Sequence, residues 1–235
     1  VRTNARYVDI SISKEIMSGR GTEHGGVFFD VTHVPEGELK GKAPITYETF
    51  LKRGINLCTD RIEIAPLVQS FNGGIKIDED AATSVPGLYA VGEVSGGVHG
   101  ADRPGGNNLA DCQVFGYRGG RAAAVLAADR AWKAKEAIRD DKLIVMENRK
   151  KIAHIRNAID RALMVVRQKE GLEELLDKIQ FFRHETQTLD VVTDNVLLTA
   201  EMVARSALLR QESRGVHYRE DFPDRDPELT KIRRR

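Results

Sequence analysis

From residue 88 to residue 128 the chain runs through a short apolar stretch, Leu88-Tyr89-Ala90-Val91, and the pair Gly92-Glu93. It then enters a glycine-rich loop with one arginine, Arg103, and leaves through an alanine-rich stretch that begins near Asn107. A short apolar run closed by glycine predicts a buried strand, and the alanine-rich stretch is too long for anything but a helix. Strand, glycine loop and helix in that order make a ligand-holding design. Glycines let backbone lie close against a ligand, and a helix opening at Gly106-Asn107 presents unpaired N–H groups to an anion.

The flanking sequence predicts an α+β chain. Residues 27–31 read as a strand and 46–53 as a short helix. The apolar runs 62–68 and 75–77 are punctuated by the turn signals Asp78-Glu79-Asp80 and Val85-Pro86-Gly87. Beyond residue 130 the pattern changes to helical stripes. Ile152, Ile155, Ile159, Leu163 and Val166 make one; Leu172, Leu175, Leu176 and Ile179 make a second, with Gly171 marking the break before it. Leu189, Val192, Val196, Thr199 and Val203 make a third. Three stripes joined by short turns imply a helical bundle, followed after Gly215 by a polar, proline-bearing tail expected to extend along the surface.

Composition excludes several classes. With 235 residues, 41% apolar and 30% charged, the chain can bury a core or two to three modest ones, and a net charge of +1 gathers neither nucleic acid nor an anionic membrane. The basic end at Lys231, Arg233, Arg234 and Arg235 lacks interleaved aromatics and reads as a solvated terminus. Cys58 and Cys112 stand far apart, outside any C-x-x-C pair, so they read as reduced thiols in a cytoplasmic protein rather than as cluster or zinc ligands. No apolar run approaches the roughly 20 residues needed to span a bilayer.

The segment Gly87-Leu88-Tyr89-Ala90-Val91-Gly92-Glu93-Val94, followed by His99-Gly100-Ala101-Asp102-Arg103-Pro104-Gly105-Gly106-Asn107-Asn108-Leu109, resembles the succinate dehydrogenase and fumarate reductase flavoprotein family. Gly19-Arg20-Gly21 and Val27-Phe28-Phe29-Asp30-Val31-Thr32-His33-Val34-Pro35 resemble that family's capping domain, and Asn72-Gly73-Gly74-Ile75-Lys76-Ile77-Asp78 its strand entering the flavin domain. Arg210-Gln211-Glu212-Ser213-Arg214-Gly215-Val216-His217, with Arg219-Glu220-Asp221-Phe222-Pro223, resembles its helical-domain signature. The resemblance implies a capping-domain part over 1–61, the C-terminal part of an FAD-binding Rossmann-like domain over 62–129, a helical bundle over 130–214 and an extended tail over 215–235.

It also implies FAD as cofactor. Glu93, an acceptor-only carboxylate, is then expected to bond the ribityl or ribose hydroxyls, and Gly105, Gly106, Asn107, Asn108 and Leu109 to lie against the flavin ring, where a helix N-terminus favours the negative charge of the reduced form. Arg103 is expected to hold one carboxylate of the substrate, its planar fork matching that group. Read without the resemblance, Glu93 is a turn residue, Arg103 a salt-bridge partner of Asp102 or another acid, and Asn107 a helix cap. His99, His33 and His217 read as hydrogen-bonded scaffold, and Arg214 and Arg219 as structural ion pairs. One departure stands out. Members of the family carry a histidine shortly before the Gly-Gly pair, where this chain reads Val68-Gln69-Ser70-Phe71-Asn72, leaving Gln69 to bond a substrate oxygen without supplying charge.

A dinucleotide-binding half needs a G-x-G-x-x-G turn between strand and helix, and no such hexamer occurs; the chain, opening on Val1, reads as the C-terminal portion of a longer flavoprotein. The expectation is an FAD-dependent oxidoreductase passing hydride between flavin and a small carboxylate, completed by an upstream FAD-binding half and exchanging electrons with an iron–sulfur subunit, at the inner face of the membrane where partners hold it there. The alternatives are an L-aspartate oxidase-like enzyme and a non-catalytic flavin-domain remnant whose bundle docks a partner. No residue of the chain itself stands out as catalytic.

Overall fold

Branched and aromatic residues draw β1 (Val27–Phe29) and β2 (Ile62–Ile64) into an antiparallel pair, with Val27 opposite Ile64 and Phe29 opposite Ile62. The strand expected over 27–31 stops at Phe29 because Asp30 turns the chain: its Oδ1 accepts the Thr32 N–H at 3.0 Å and the Thr32 hydroxyl at 2.7 Å. The computed structural model describes residues 5–129, 149–186 and 189–230, and the chain divides into two compact units between Leu67 and Val68. The first unit also holds α1 (Ala5–Glu15), α2 (Glu36–Lys42) and α3 (Pro44–Lys52), the last starting on a proline whose missing N–H costs nothing there. Tyr47 on α3 is buried and donates to Glu36 at 2.9 Å; that bond, with burial, pushes its phenol up to about 12.

In the second unit β3 (Ile75–Lys76) runs parallel to β4 (Ser95–Gly96), with Ile75 opposite Ser95. The apolar run 88–91 is not a ladder strand; it folds back on residues 81–83 through a single bridge, Tyr89 to Ala82. Asp78 dictates this, since its Oδ1 takes the N–H groups of Asp80 and Ala82 at 2.9 Å each and winds the chain into a turn. Helix α4 (Asn107–Asp129) packs across this layer. Gly119 permits it, because a Cβ there would lie 3.0 Å from both Ala81 Cβ and Val91 Cγ1.

Helices α5 (Arg149–Leu163), α6 (Lys169–Glu185) and α7 (Val191–Leu209) pack around Ile152, Ile155, Leu172, Leu175, Ile179, Leu197 and Ala204. All three stripes differ in part from the sequence reading. Val166 belongs to β5 (Val166–Arg167) rather than to the first helix, and Gly171 lies inside α6 rather than before it. On α7 the buried residues are Thr193, Leu197, Ala200, Ala204 and Ala207, while Thr199 is exposed. Small alanines let this central helix approach two neighbours at once, and that outweighs the size of the valines beside them. Residues 130–148 of the expected bundle domain, and the basic end beyond Thr230, lie outside the described residues. No helix among the described residues is long and apolar enough to cross a membrane.

The segment after α7, whose part beyond Gly215 is expected to extend along the surface, forms a knot of buried charge. Its strand β6 (Tyr218–Arg219) runs parallel to β5. Arg219, 1% exposed, forks onto Asp221 at 2.8 and 2.6 Å and donates to Ala207 O, while Arg167 donates to Leu163 O and Met164 O. The open carbonyls at the ends of α7 and α5 are thereby closed by guanidinium groups, which also suit the negative end of each helix dipole. Glu212, fully buried, accepts from Arg210, Arg214 and the Asp226 N–H. The Arg214 bond holds its carboxyl down at about 2 against the opposing effect of burial. His217 sits between the two helix ends, accepting from Arg167 at Nδ1 (3.0 Å) and donating from Nε2 to Arg210 O (3.1 Å).

Burial, aided by the charges of Arg167, Arg210 and Arg219, pushes His217 down to about 4 although the Arg210 carbonyl opposes it. The unfolded chain takes up this proton near pH 6.5 and the folded chain resists to about 4, so stability falls as pH drops through that window. Over the whole shift the loss is about 3 kcal/mol. Glu212 continues it below pH 4.5. Urea midpoints at pH 7.5, 5 and 4 are expected to fall stepwise, and His217→Gln is expected to flatten the slope above pH 4; an equally steep variant would reject the assignment.

Candidate flavin and substrate-anion site

The site is built where two glycine segments cross. Asn72-Gly73-Gly74 leads into β3 and passes so close to Val94-Ser95 that a Cβ on Gly74 would overlap the Val94 carbonyl and lie 2.8 Å from its carbon; one on Gly96 would lie 2.8 Å from the Gly74 nitrogen. This backbone contact sets the distance between the segment carrying Gln69 and the turn carrying Glu93. Gly92 makes that turn with φ of +72°, and a Cβ there would lie 3.2 Å from Cys112 Sγ of α4. The turn, residues 92–94, packs on α4.

Glu93 is exposed and accepts the Phe71 N–H at 3.0 Å through Oε1. Arg103, half-buried, reaches the same segment: its Nη2 lies 3.4 Å from Gln69 Oε1. Its Nε is buried with no hydrogen-bond partner among the described residues. A buried N–H left unmatched costs about 1–3 kcal/mol, which an anion binding to the fork would recover. Gln69, Glu93 and Arg103 are thus one cluster, and no ion pair joins Arg103 to Asp102 among the described residues.

Helix α4 begins at Asn107, so the capping position falls on Gly106, whose φ is +86°. The Asn107 N–H goes to Pro104 O and the Leu109 N–H to Gly106 O, both at 3.1 Å, which leaves the Asn108 amide in the open first turn. A Cβ at Gly105 or Gly106 would meet nothing within 4 Å, so the space over this helix start is clear. Leu109 is 71% exposed and continues into Val114, Tyr117 and Val125, an apolar face of α4 open to solvent.

The loop between β4 and α4 is tied down at two points. His99 Nε2 lies 3.2 Å from Asp111 Oδ2 on α4, both side chains being nearly buried, and Asp111 Oδ1 has no partner among the described residues. Ala101 O accepts the Val216 N–H at 3.0 Å. Sequence reasoning missed Asp111 and the Phe71 amide. The one acid in the first three turns of α4 is the available signal for the first; a backbone donor leaves no signal in sequence.

The donor set fits a flavin dinucleotide: a free carboxylate oxygen for hydroxyls, the open Asn108 amide and a glycine-cleared surface for a ring, and a half-buried guanidinium. Residues 2–109 match the FAD binding domain family, and residues 191–231 match the fumarate reductase flavoprotein C-terminal family. These matches, added to the geometry, define an FAD-binding flavoprotein. The chain is 39% identical to one of the subunits of the fumarate reductase (CoM/CoB) of Methanothermobacter marburgensis, over 93% of this chain and 44% of that protein. It is 32% identical to the L-aspartate oxidase of Pseudomonas aeruginosa, over 86% of this chain and 40% of that protein. Among solved structures it resembles Mycobacterium smegmatis Sdh1 in complex with UQ1, with a TM-score of 0.81, 32% identity and coverage of 95% of this chain and 42% of that one. The quinol fumarate reductase of E. coli matches with a TM-score of 0.69, 30% identity and coverage of 94% and 44%. The chain belongs to the flavoprotein family of succinate dehydrogenase and fumarate reductase, and it spans 40–44% of the length of these relatives.

Proposed function

We propose that this chain supplies the ring-side flavin contacts and the substrate-anion contact of an FAD-dependent oxidoreductase of the fumarate reductase type. The observation that carries the reading is the half-buried Arg103 guanidinium, beside Gln69 and with its Nε unmatched, in the same cluster as Glu93. Bound flavin supplies hydride exchange with a carbon of a small carboxylate. The chain's own residues do the holding: Arg103 grips one carboxylate, Gln69 steadies Arg103 and offers its amide N–H groups to a substrate oxygen, and Glu93 takes a flavin hydroxyl. Gly105, Gly106, Asn107, Asn108 and Leu109 seat the ring, with the open Asn108 amide and the positive end of the α4 dipole toward developing negative charge.

In this reading residues 1–61 belong to a capping domain, 62–129 to the flavin domain and 130–214 to the helical domain. The open apolar face of α4, Leu109, Val114, Tyr117 and Val125, suits the upstream FAD-binding half, since exposed patches of this kind mark interfaces. No group of His, Cys, Asp or Glu suited to a metal occurs among the described residues. Electrons pass to a partner, for which an iron–sulfur subunit is the family's choice. That partner also accounts for attachment to the inner face of a membrane.

The test is flavin retention by the protein assembled with its upstream half. Flavin absorption bands are expected, with fumarate reoxidising the reduced flavin, and Glu93→Ala is expected to weaken FAD binding about tenfold to a hundredfold through one lost charge-assisted hydrogen bond. An assembled protein that binds no flavin would end the proposal. An L-aspartate oxidase-like reaction is the second reading, favoured by relatives of that name and by the uncharged Gln69. Oxidation of L-aspartate with oxygen as acceptor separates it from the first.

A further inference from the structure

The turn Arg214–His217 touches the loop that carries Arg103, and neither functional reading uses that contact. Arg214 and His217 exchange both backbone bonds, at 2.8 and 3.0 Å, around a two-residue turn. Gly215 has φ of +59° while Val216 stays at negative φ, the type II′ arrangement that needs glycine at its first central position. The tip then meets the arginine loop. Val216 N–H donates to Ala101 O, and a Cβ on Gly215 would overlap that carbonyl and lie 2.8 Å from Asp102 Cβ. Glycine is therefore required twice over, by conformation and by contact.

Behind the tip the mounting is stiff. His217 is wedged between Arg167 and Arg210 O, and Arg214 is clamped to buried Glu212, which also accepts from Arg210 and Asp226. A buried network with its members satisfied fixes geometry rather than cushioning it. In front, the loop has its other tie at His99, bonded to Asp111. Arg103 follows two residues after Ala101, so its backbone is fixed by α4 on one side and by the turn on the other.

We propose that the Arg214–His217 turn is a positioning element for Arg103, with Gly215 the residue whose missing side chain lets the turn seat the arginine loop. The inference rests on the reading of Arg103 as the anion-binding group. It makes the Arg214–His217 turn part of the substrate site through its backbone contact with Ala101.

Gly215→Ala tests this in the assembled flavoprotein. Displacing the arginine by an ångström is expected to raise the KM for a small dicarboxylate about tenfold to a hundredfold, leaving the flavin spectrum unchanged. An independent readout is hydrogen exchange at the Arg103 Nε–H, slow where that atom is buried and expected to quicken in the variant. His217→Gln, which loosens the mounting without adding atoms at the tip, is expected to act in the same direction at pH 7.5, and keeps the test open should Gly215→Ala fail to fold. Unchanged Arg103 exchange and unchanged KM in the folded variants would overturn the inference. If Arg103→Ala itself left dicarboxylate binding untouched, the functional reading would fall instead, and the exchange measurement would still judge the contact.

Discussion

Arg103→Ala is expected to reduce kcat/KM for a small dicarboxylate by about a hundredfold to a thousandfold, the worth of two charge-assisted hydrogen bonds at 1.5–3 kcal/mol each partly replaced by water. Flavin content and thermal midpoint are expected to stay as they were, because among the described residues Arg103 makes only one long bond, to Gln69, and its Nε has no partner. Arg103→Lys is expected to recover little of the loss, since an ammonium carries the charge but not the fork. Steady-state kinetics on the three proteins decides the matter. Undiminished turnover in Arg103→Ala would favour the non-catalytic alternative, a flavin-domain remnant whose bundle docks a partner.

The second large effect is expected at Gly74. An alanine there drives its Cβ into the Val94 carbonyl, and since both neighbours are backbone no side chain can swing away. Overpacking of this kind is expected to cost about 3 kcal/mol, read as a fall of roughly 6–12 °C in the thermal midpoint of a domain this size. Flavin retention is expected to fall with it, because Gly74 sets the spacing between the Gln69–Phe71 segment and Glu93. Gly73→Ala is the matched control. A Cβ at Gly73 meets nothing within 4 Å, so its midpoint is expected to hold. Equal destabilisation by the two variants would mean that the β3–β4 approach is looser than described.

Much of this was legible in the sequence for a local reason. Helix α4 announces itself by its length and alanine content, and the glycines before it by their density, because both properties belong to neighbouring residues. The pairing of Gln69 with Arg103 was reachable only through family resemblance, 34 residues separating them. The α7 stripe was misjudged because apolar bulk was taken as the mark of burial, whereas close helix approach selects Ala200, Ala204 and Ala207. The ion pairs of Arg214 and Arg219 and the scaffold place of His217 are legible as residue types, but the path after Gly215 is not, because charge in sequence looks exposed. Its burial depends on partners such as Arg167 and His217, 50 residues apart, which no periodicity connects.

The guanidinium closures of α5 and α7 have a consequence for how the molecule comes into being. Arg219 finishes a helix that ends at Leu209, and β6 is the strand that β5, left behind between two helices, must wait for. Synthesis runs from the N-terminus, so the bundle emerges from the ribosome with a helix end open and a strand unpaired until residue 222 has cleared the tunnel. The loop of Arg103, made more than a hundred residues earlier, acquires its second tether, at Ala101, only then. Assembly of the site is thereby timed to the completion of the helical unit, and a chain cut short before the turn carries the sequence of the binding loop without its setting.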